Sequence, residues 1–321
     1  MGFRILGTGS AAPEKILTND DLSGMVETSD EWITTRVGVK ERRISVTETT
    51  SSLAIEAAKK ALAMSGTDPH ELDLILTATI TADNLSPTTS GEVQEAIGAA
   101  CPAFDISSAC SGFLFALETA AGFFARGTVK KALVIGAERI SRILDWTDRS
   151  TCVIFGDGAG AAVLGADEDD CYLVSELHTA GGSDVIQIPA YQGQSPFRRV
   201  PEGERPPVIF MAGQETFRFA VGQMVGHIRS MCGKLGIEPA DLDLVVPHQA
   251  NVRIIDFAAK KLGLPPEKFI VNIQRYGNTA AASVPIALDE ANRAGRLKRG
   301  DLVAMAAFGG GLSSAGAIIR W

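Results

Sequence analysis

Cys110 stands where a thiol can act as a nucleophile. It lies in the segment DISSACSGF (105–113), where an apolar strand ends and a helical spacing of apolar residues begins at Ser111. The partial positive charge at the start of a helix stabilises a thiolate, so this position predicts a lowered pKa for the thiol. Most free cysteines are small buried side chains instead. We prefer that structural interpretation for the other four cysteines: Cys101, Cys152, Cys171 and Cys232.

Two polar side chains far along the chain could assist such a nucleophile. His248 ends the apolar strand of DLDLVVPHQAN, and Asn278 precedes a predicted helix in YGNTAAASVP, 278 − 110 = 168 residues after Cys110. An asparagine amide can donate to a developing oxyanion without losing a proton. The structural alternatives are a histidine satisfied in the core and a helix N-cap. For His70 and His227 the structural interpretation is preferred.

Two glycine-rich stretches could bring bare backbone close to a ligand. Gly309, Gly310 and Gly311 follow a predicted strand and could supply N–H donors. The stretch GTGSAA (7–12) imitates the G-x-G-x-x-A fingerprint of dinucleotide-binding proteins. The residues after it do not continue as an apolar-faced helix, so a pyrophosphate would lack its helix N-terminus. A nucleotide-dependent redox protein is therefore a weak alternative.

An internal repeat indicates the elements that must position these side chains. GTDPHELDL (66–74) and GIEPADLDL (236–244) match without gaps at an offset of 236 − 66 = 170 residues, and each precedes an apolar strand. Three more pairs of elements follow at a similar spacing: strands 104–106 and 270–273, helices 111–126 and 279–294, and strands 132–136 and 302–307. The chain is therefore predicted to be an α/β protein with two pseudo-symmetric halves.

The halves are predicted to join near the acidic run ADEDD (166–170), which gives an N-terminal half of residues 1–165 and a C-terminal half of residues 166–321. The pattern TSDE (28–31) predicts a helix start, with the helix continuing to Arg36. Ser51 or Ser52 is predicted to cap a further helix, and residues 193–207 are predicted to form a long loop.

Composition excludes several classes of protein. The 321 residues are 45% hydrophobic and 21% charged, with a net charge of 30 − 38 = −8, which argues against a nucleic-acid binder. No apolar run approaches the roughly 18 residues of a membrane span, and no secretory signal is evident. Five scattered cysteines argue against a disulfide framework and for the cytoplasm. The four histidines lack zinc-ligand spacing, so no metal is expected.

In their contexts, Cys110, His248 and Asn278 resemble the Cys-His-Asn set of the thiolase-like condensing enzymes, and the match is closest to the β-ketoacyl-acyl-carrier-protein synthase III family. The resemblance covers essentially the whole chain. Matching segments are DEWITTRVGVKERR (30–43), DISSACSGF (105–113), DRSTCVIFGDGAGA (148–161), VPHQANVRII (246–255), YGNTAAASVP (276–285) and FGGGL (308–312).

The resemblance implies a duplicated thiolase-like α-β-α-β-α layered fold and a cytosolic homodimer. It implies that an acyl group passes from coenzyme A to Cys110 and then joins the carbanion formed by decarboxylation of malonyl-acyl carrier protein. Products are 3-oxoacyl-acyl carrier protein, CO₂ and coenzyme A, and this step initiates fatty acid biosynthesis. No cofactor is required, because coenzyme A enters as a substrate thioester.

The chemistry explains these residue types. A thiolate is both a good nucleophile and a good leaving group for a thioester. The backbone N–H groups of Cys110 and Gly310 are expected to form the oxyanion hole for acyl transfer. His248 and Asn278 are expected to donate hydrogen bonds to the enolate oxygen that decarboxylation creates.

Substrate contacts follow from the same resemblance. Trp32 and Arg149 match positions that sandwich the adenine of coenzyme A, Arg36 matches a nearby contact, and Asn251 matches a residue near the pantetheine arm. A second set matches the carrier-protein-binding segment: Gln249, Ala250, Asn251, Val252 and Arg253. Because carrier proteins are acidic, an acidic enzyme needs a local basic patch. Four residues could supply it: Arg218, Arg253, Lys260 and Lys261.

Ser86 and Pro87 match a wall of the acyl pocket that the partner subunit lends. Some family members carry Phe where this chain has Ser86, so we expect a roomier acyl pocket than that of an enzyme restricted to acetyl groups. The segment LSSA (312–315) also departs from the family's Leu-Thr-Trp-Gly.

Other functions on the same scaffold stay open. A specialised-metabolite ketosynthase or an ester-forming acyltransferase would carry similar motifs. A degradative thiolase requires a second catalytic cysteine near the C-terminal glycine loop, and no cysteine follows Cys232 in this chain. A hydroxymethylglutaryl-CoA-type synthase would use a glutamate as its acid–base group. A carrier-binding subunit without catalysis would lack Cys110.

Overall fold

A computed structural model describes residues 2–169, 171–190, 196–197, 203 and 205–321. Most of the predicted loop at 193–207 lies outside these residues. The strands are β1 (Gly2–Ala11), β2 (Ile16–Thr18), β3 (Glu41–Arg43), β4 (Leu74–Ala78), β5 (Ala103–Ile106), β6 (Lys131–Arg139), β7 (Asp157–Asp167), β8 (Tyr172–Thr179), β9 (Ile186–Gln187), β10 (Phe210–Met211), β11 (Leu244–Pro247), β12 (Leu302–Gly309) and β13 (Ser313–Arg320). The helices are α1 (Asn19–Ser23), α2 (Asp30–Arg36), α3 (Thr50–Ser65), α4 (Thr89–Ile97), α5 (Gly112–Ala125), α6 (Arg149–Cys152), α7 (Gly213–Leu235), α8 (Val252–Leu262), α9 (Ile273–Tyr276) and α10 (Ser283–Arg293).

Two mixed sheets of the same design form the two halves. The first has the strand order β1-β7-β6-β4-β5, and the second has the order β8-β13-β12-β11. In the first sheet β1–β7 and β7–β6 are antiparallel pairs and β6–β4 is a parallel pair. In the second sheet β8–β13 and β13–β12 are antiparallel and β12–β11 is parallel. A single bridge between Val245 and Phe269 stands where the first sheet has β5. The duplication inferred from the repeat is confirmed.

Five layers result from the way the apolar faces pack. Helix α3 covers the outer face of the first sheet, and α7 and α8 cover the outer face of the second. Helices α5 and α10 lie between the sheets, where Phe113 and Leu117 pack in one core with Val134 and Met305. The predicted α-β-α-β-α arrangement is confirmed, and both central helices start at the same edge of this shared layer.

The offset between the halves changes by one residue along the chain. Leu74 pairs with Ala132 in the first sheet, and Leu244 pairs with Val303 in the second, so the offset is 244 − 74 = 170 before it becomes 303 − 132 = 171. Short 3₁₀ turns, Ala109–Ser111 and Ala280–Ala282, precede α5 and α10 at this larger offset. The counterpart of Cys110 is therefore Ala281, and the prediction that Asn278 occupies that position is wrong.

Gly7 and Gly9 serve packing. Both lie inside β1, and a Cβ atom at Gly9 would stand 2.3 Å from the carbonyl oxygen of Ala57 on α3. The glycines let α3 lie directly on the sheet, so the stretch forms no phosphate-binding loop, and the dinucleotide interpretation loses its only support.

Helix starts were partly predicted. Ser29 caps α2 through a hydrogen bond from Trp32 N–H (3.1 Å), as expected. Thr49, and not Ser51 or Ser52, caps α3, while Ser52 returns the second bond of a capping box. The proposed boundary at residue 165 stays a prediction, although β7 continues past it to Asp167.

Among the described residues, no helix combines the length and apolar character needed to cross a bilayer.

Candidate active site

One cavity of about 200 Å³ brings together the three side chains that the sequence analysis singled out. Cys110, His248 and Asn278 all line it, although they come from turns far apart in the chain. Most of the wall is apolar and includes Phe217, Ile254 and Phe308. Few polar groups converging in an apolar pocket are typical of a small-molecule site.

The turn that carries Cys110, Ala109–Ser111, is held tightly against the glycine-rich stretch 309–311. Ala109 has a φ of 45°, a strained conformation for a non-glycine residue, and it aims the next residue, Cys110, at the cavity. A Cβ atom at Gly309 would stand 2.8 Å from both the N and Cβ atoms of Cys110. Only glycine fits there, so the second half brings its backbone directly onto the cysteine.

The pKa of Cys110 contradicts the sequence-based expectation. Burial, followed by the nearby charge of Glu138, raises the pKa of the thiol to about 12. The expected lowering is therefore wrong for this structure, because desolvation of a thiolate in the apolar cavity outweighs the helix N-terminus. Cys110 is a protonated thiol at neutral pH, and its proton must leave during attack.

Glu138 is a buried carboxyl that sequence reasoning missed. It is the last residue but one of β6 and accepts hydrogen bonds from Thr81 Oγ1 (2.5 Å), from Ile80 N–H (3.2 Å) and from the backbone of Ala281. Burial nevertheless raises the pKa of Glu138 to about 8. An acidic residue near a strand end carries no local signal of this kind, since its partners come from two distant segments of the chain, residues 80–81 and Ala281.

His248 is a buried neutral imidazole. Its Nδ1 lies 2.5 Å from the hydroxyl of Ser283, and its ring meets Phe308 edge-on with centroids 5.1 Å apart. Burial lowers the pKa of His248 to about 3, so the ring carries no charge at neutral pH. A neutral imidazole that lines the cavity can donate or accept one hydrogen bond there.

Asn278 is oriented by its own backbone neighbourhood. Its Oδ1 accepts a hydrogen bond from Ala280 N–H (2.8 Å), which identifies the oxygen and leaves the NH₂ group for the cavity. The backbone is anchored as well, because Asn278 N–H donates to Ile154 O (2.9 Å) and its carbonyl accepts from Gly156 N–H (3.1 Å). The carboxamide is therefore a fixed donor.

Gly310 lines the same cavity and is tied to the nucleophile turn by serine hydroxyls. Ser313 Oγ lies 2.8 Å from both Gly310 O and Ser111 Oγ, and its one proton is shared between these two acceptors. Ser111 in turn donates to Ser108 O (2.8 Å). The two backbones expected to form an oxyanion hole are thus fixed relative to each other across the halves.

The residues expected to bind adenine lie together on the surface. The Arg149 guanidinium stands 5.1 Å from the centroid of the Trp32 ring, and its Nη1 donates to Glu27 O (2.7 Å). Asn251 lines the cavity and donates to the backbone oxygen of the exposed Arg36 (3.0 Å). Asn251 therefore links the cavity wall to the surface at Arg36, and the Trp32–Arg149 pair is also exposed.

The segment 249–253 divides into buried and exposed parts. Gln249 is 1% exposed, and its carboxamide donates to Pro247 O and Ile270 O and accepts from two backbone N–H groups. We correct its assignment as a carrier-protein contact, because all its polar capacity is used inside the fold. Ala250 lines the cavity, Val252 is half-buried, and Arg253 is exposed.

Ser86 and Pro87 lie on the exposed surface beside Leu85. Leu85 lines a second cavity of about 900 Å³, which shares Ala109 and Gly310 with the first. Neither Ser86 nor Pro87 lines the cavity around Cys110 of the same chain. Their position is compatible with a role toward another subunit.

Within the ranges that the structure describes, no group of three or more His, Cys, Asp or Glu side chains is placed to hold a metal ion.

The fold and the Cys-His-Asn cavity define a condensing enzyme of the thiolase-like class. The profile described as 3-oxoacyl-[acyl-carrier-protein] synthase III matches residues 104–181, and that of the C-terminal part of the same enzyme matches residues 232–321. The chain belongs to the β-ketoacyl-acyl-carrier-protein synthase III family.

Full-length similarity supports this assignment. The beta-ketoacyl-[acyl-carrier-protein] synthase III of Clostridium acetobutylicum is 48% identical, over 99% of this chain and 98% of its own. The crystal structure of the Aquifex aeolicus synthase III matches with a TM-score of 0.93 at 47% identity, covering both chains completely. The priming β-ketosynthase of the R1128 polyketide pathway matches with a TM-score of 0.91 at 35% identity, over 99% of this chain and 96% of that one. The predicted family, fold and enzyme class are confirmed.

Proposed function

We propose that the protein condenses an acyl-CoA primer with malonyl-acyl carrier protein, giving 3-oxoacyl-acyl carrier protein, CO₂ and coenzyme A, and so initiates fatty acid biosynthesis. One observation carries the proposal: a single apolar cavity holds a thiol, a neutral imidazole and an oriented carboxamide. A nucleophile and two uncharged donors are what acyl transfer followed by enolate formation requires.

Acyl transfer is the first step. The sulfur of Cys110 attacks the thioester carbonyl, the bond to the coenzyme A sulfur breaks, and the thiol proton leaves with coenzyme A as its thiol. The N–H groups of Cys110 and Gly310 stabilise the tetrahedral oxyanion. Gly309 permits this arrangement, since any side chain there would collide with Cys110.

Condensation is the second step. Loss of CO₂ from the malonyl thioester leaves an enolate, whose oxygen accepts hydrogen bonds from His248 and Asn278. One preorganised donor of this kind is typically worth about 3–4 kcal/mol. The enolate carbon then attacks the acyl group on Cys110, and the cysteine leaves as a thiolate that takes a proton from water. Because the pKa of His248 is about 3, this residue acts as a donor in its neutral form.

Coenzyme A is proposed to enter along the route that the surface groups mark. Trp32 and Arg149 hold the adenine, Arg36 contacts the same end of the ligand, and Asn251 guides the pantetheine arm toward Cys110. Two contacts support this assignment: the cation–π pair of Arg149 and Trp32, and the hydrogen bond from Asn251, which lines the cavity, to Arg36 O at the surface.

The malonyl carrier protein is proposed to dock beside the same entrance. Ala250, Asn251, Val252 and Arg253 supply the docking segment, and exposed cations on α7 and α8 extend it: Arg218, Lys260 and Lys261. Arg253 stacks on Phe217, which lines the cavity, so the basic surface reaches the entrance. Local positive charge on a chain of net charge −8 suits an acidic partner.

A homodimer is proposed to complete the acyl pocket. Strand β5 pairs with β4 alone among the described strands, and large apolar side chains lie exposed at Phe104 and Leu85. An unpaired edge with apolar side chains favours pairing with a second copy. Ser86 and Pro87 would then reach the partner's pocket. The five free cysteines support a cytoplasmic protein.

Mass spectrometry of the intact protein tests the whole proposal. Incubation with acetyl-, isobutyryl- and longer acyl-CoA is expected to add one acyl group, located on Cys110 after digestion. Exclusive use of acetyl-CoA would reject the roomier pocket inferred from Ser86. Product analysis with malonyl-acyl carrier protein separates fatty acid initiation from an ester-forming or specialised-metabolite activity.

Two substitutions test the division of roles. His248→Ala and Asn278→Ala should each impair malonyl decarboxylation by roughly 10²-fold or more while leaving acylation of Cys110 largely intact. Equal losses in both half-reactions would overturn the assignment.

Charge reversal tests the docking surface. Arg253→Glu should raise KM for malonyl-acyl carrier protein and leave the reaction with malonyl-CoA nearly unchanged, since the smaller substrate lacks the acidic partner. A matched rise for both substrates would contradict the proposed docking.

A further inference from the structure

We propose that Ser283 is a positioning residue that holds His248 in the tautomer with its proton on Nε2. The inference rests on the proposed function, in which His248 donates a hydrogen bond to the enolate. A neutral imidazole has only one N–H, so the partner of Nδ1 decides whether the cavity receives a donor or an acceptor.

The hydrogen bonds around Ser283 give the direction. Its Oγ lies 2.5 Å from His248 Nδ1 and also accepts the backbone N–H of Gln249 (3.4 Å). Among the contacts of the described residues, Nδ1 is the only acceptor within reach of the Ser283 O–H, whose oxygen takes the N–H of Gln249, so Ser283 donates its single proton to Nδ1. Nδ1 is then the acceptor, and the ring proton sits on Nε2.

The surroundings hold this arrangement in place. Gln249 cannot turn away, because its side chain is fixed by bonds to Pro247, Ile270 and the backbone N–H groups that follow. His248 and Ser283 are both almost fully buried, so water does not compete for Nδ1. Among the described contacts, Nδ1 meets a hydroxyl and no carboxylate, which distinguishes the pair from a histidine held by an acid.

The first half shows what the pair replaces. By the offsets of the two sheets, His248 corresponds to Ala78 and Ser283 to Gly112. A Cβ atom at Gly112 would lie 3.0 Å from the Cβ of Ala78, so these positions face each other there too. In the first half, neither an imidazole nor a hydroxyl is present, because the pair is Ala78 and Gly112. In the second half, the imidazole of His248 is accompanied by the hydroxyl of Ser283.

The tautomer can be measured without reference to turnover. In protein labelled with ¹⁵N-histidine, Nδ1 of His248 is expected at a pyridine-like shift and Nε2 at a pyrrole-like shift. His248→Gln identifies the signals by their loss. A protonated Nδ1 in the unmodified protein would overturn the proposal.

Three variants at one position separate tautomer control from packing. Ser283→Thr keeps a hydroxyl and should keep the tautomer and the decarboxylation rate. Ser283→Ala should produce a mixed tautomer and lower decarboxylation roughly 10-fold to 100-fold, with acylation of Cys110 little changed. Ser283→Asp offers an acceptor to Nδ1 and should move the proton there, with a loss at least as large. An unchanged spectrum in both Ser283→Ala and Ser283→Asp would refute the role.

A matched control comes from the other serine–histidine pair. Ser314 Oγ lies 2.9 Å from Nε2 of His227 in the outer layer, away from the cavity around Cys110. Ser314→Ala should change only the His227 signals and leave decarboxylation intact. If the unmodified protein shows the stated tautomer but performs neither half-reaction, the proposed function fails while the role of Ser283 stands.

Discussion

The two short turns that precede the central helices have the same backbone and different chemistry. Ala109–Ser111 leads into α5 and Ala280–Ala282 leads into α10, and the first residue of each has a φ of 45°. The central residue is Cys110 in one turn and Ala281 in the other. Both helices start in the shared middle layer, so either turn had the geometry to present a nucleophile.

What lies beneath each turn differs just as much. Gly309 lies under Cys110, whereas its counterpart in the first half, Glu138, lies under the second turn and binds the backbone of Ala281. The Glu138 carboxyl accepts the N–H of Ala281 in one turn, whereas Gly309 leaves the N–H of Cys110 in the other turn open to a ligand. The residue that the opposite half places beneath a turn, and not the backbone of the turn, therefore decides which turn can present a nucleophile with a free N–H beside it.

The largest expected effect comes from moving the nucleophile. Cys110→Ala should abolish acyl capture, lowering turnover by more than about 10⁴-fold. The double variant Cys110→Ala/Ala281→Cys should stay inactive, because the carboxyl of Glu138 already binds the N–H of residue 281, which is then not available to an oxyanion. Covalent acylation at residue 281, detected by mass spectrometry, would break the comparison.

A side chain beneath the reactive turn should come next in effect. In Gly309→Ala the new Cβ meets Cys110 N and Cβ at 2.8 Å, so the turn must shift and acylation should slow roughly 10²-fold to 10³-fold. Gly310→Ala is the graded comparison, since its Cβ would meet the Ile186 side chain at 3.3 Å and Ala109 Cβ at an ordinary 3.7 Å, so acylation should slow less. Rapid-quench acylation rates measure both, and equal losses would contradict the argument.

Removing the buried charge should produce a smaller, pH-dependent effect. Glu138 raises the pKa of Cys110 and has itself a pKa of about 8, so its charge appears as pH rises through 8. Glu138→Gln should therefore be alkylated at Cys110 several-fold faster than the unmodified protein at pH 9 and at the same rate at pH 6.

Peptide mass spectrometry with iodoacetamide follows Cys110 alone. Glu92→Gln, on α4 and bonded to Ser51, serves as the control and should leave the profile unchanged. Parallel profiles for the Glu138 variant and the unmodified protein would remove its electrostatic role.

The smallest expected effect concerns stability in acid. Folding lowers the pKa of His248 from 6.5 to about 3, so between these values the unfolded chain binds more protons and stability falls as pH falls. One such group contributes a slope of up to about 1.4 kcal/mol per pH unit. His248→Gln should flatten the free energy of unfolding over this window, measured by urea denaturation, and an unchanged slope would contradict the shift.

The sequence carried the fold and the main site residues because those signals are local or repeat at a fixed spacing. The match of 66–74 with 236–244 predicted the duplication, the ends of apolar strands indicated Cys110 and His248, and the spacing of 168 residues from Cys110 indicated Asn278. The predicted counterpart of Cys110, Asn278, lies three residues before the true one, Ala281. The offset between the halves grows by one residue along the chain, and Asn278 stands just before the turn Ala280–Ala282 instead of in it.

Properties that depend on distant neighbours were out of reach. The raised pKa of Cys110 comes from burial in an apolar cavity and from Glu138, and the burial of Gln249 comes from a loop after α8. Ser283 likewise has no distinguishing feature in the sequence, because its contact with His248 exists only in the folded chain. None of these pairings leaves a pattern within a short stretch of chain.

The stacked pair on the surface has a consequence for ligand recognition. In the proposed binding mode an adenine ring lies between Trp32 and Arg149, whose cation stands 5.1 Å from the ring centroid, so the base must separate the two side chains and replace their contact with its own. The affinity for the base then depends on the difference in free energy between the two stacking arrangements. A substitution that weakens the contact between Trp32 and Arg149, while keeping both planar groups, should raise that affinity.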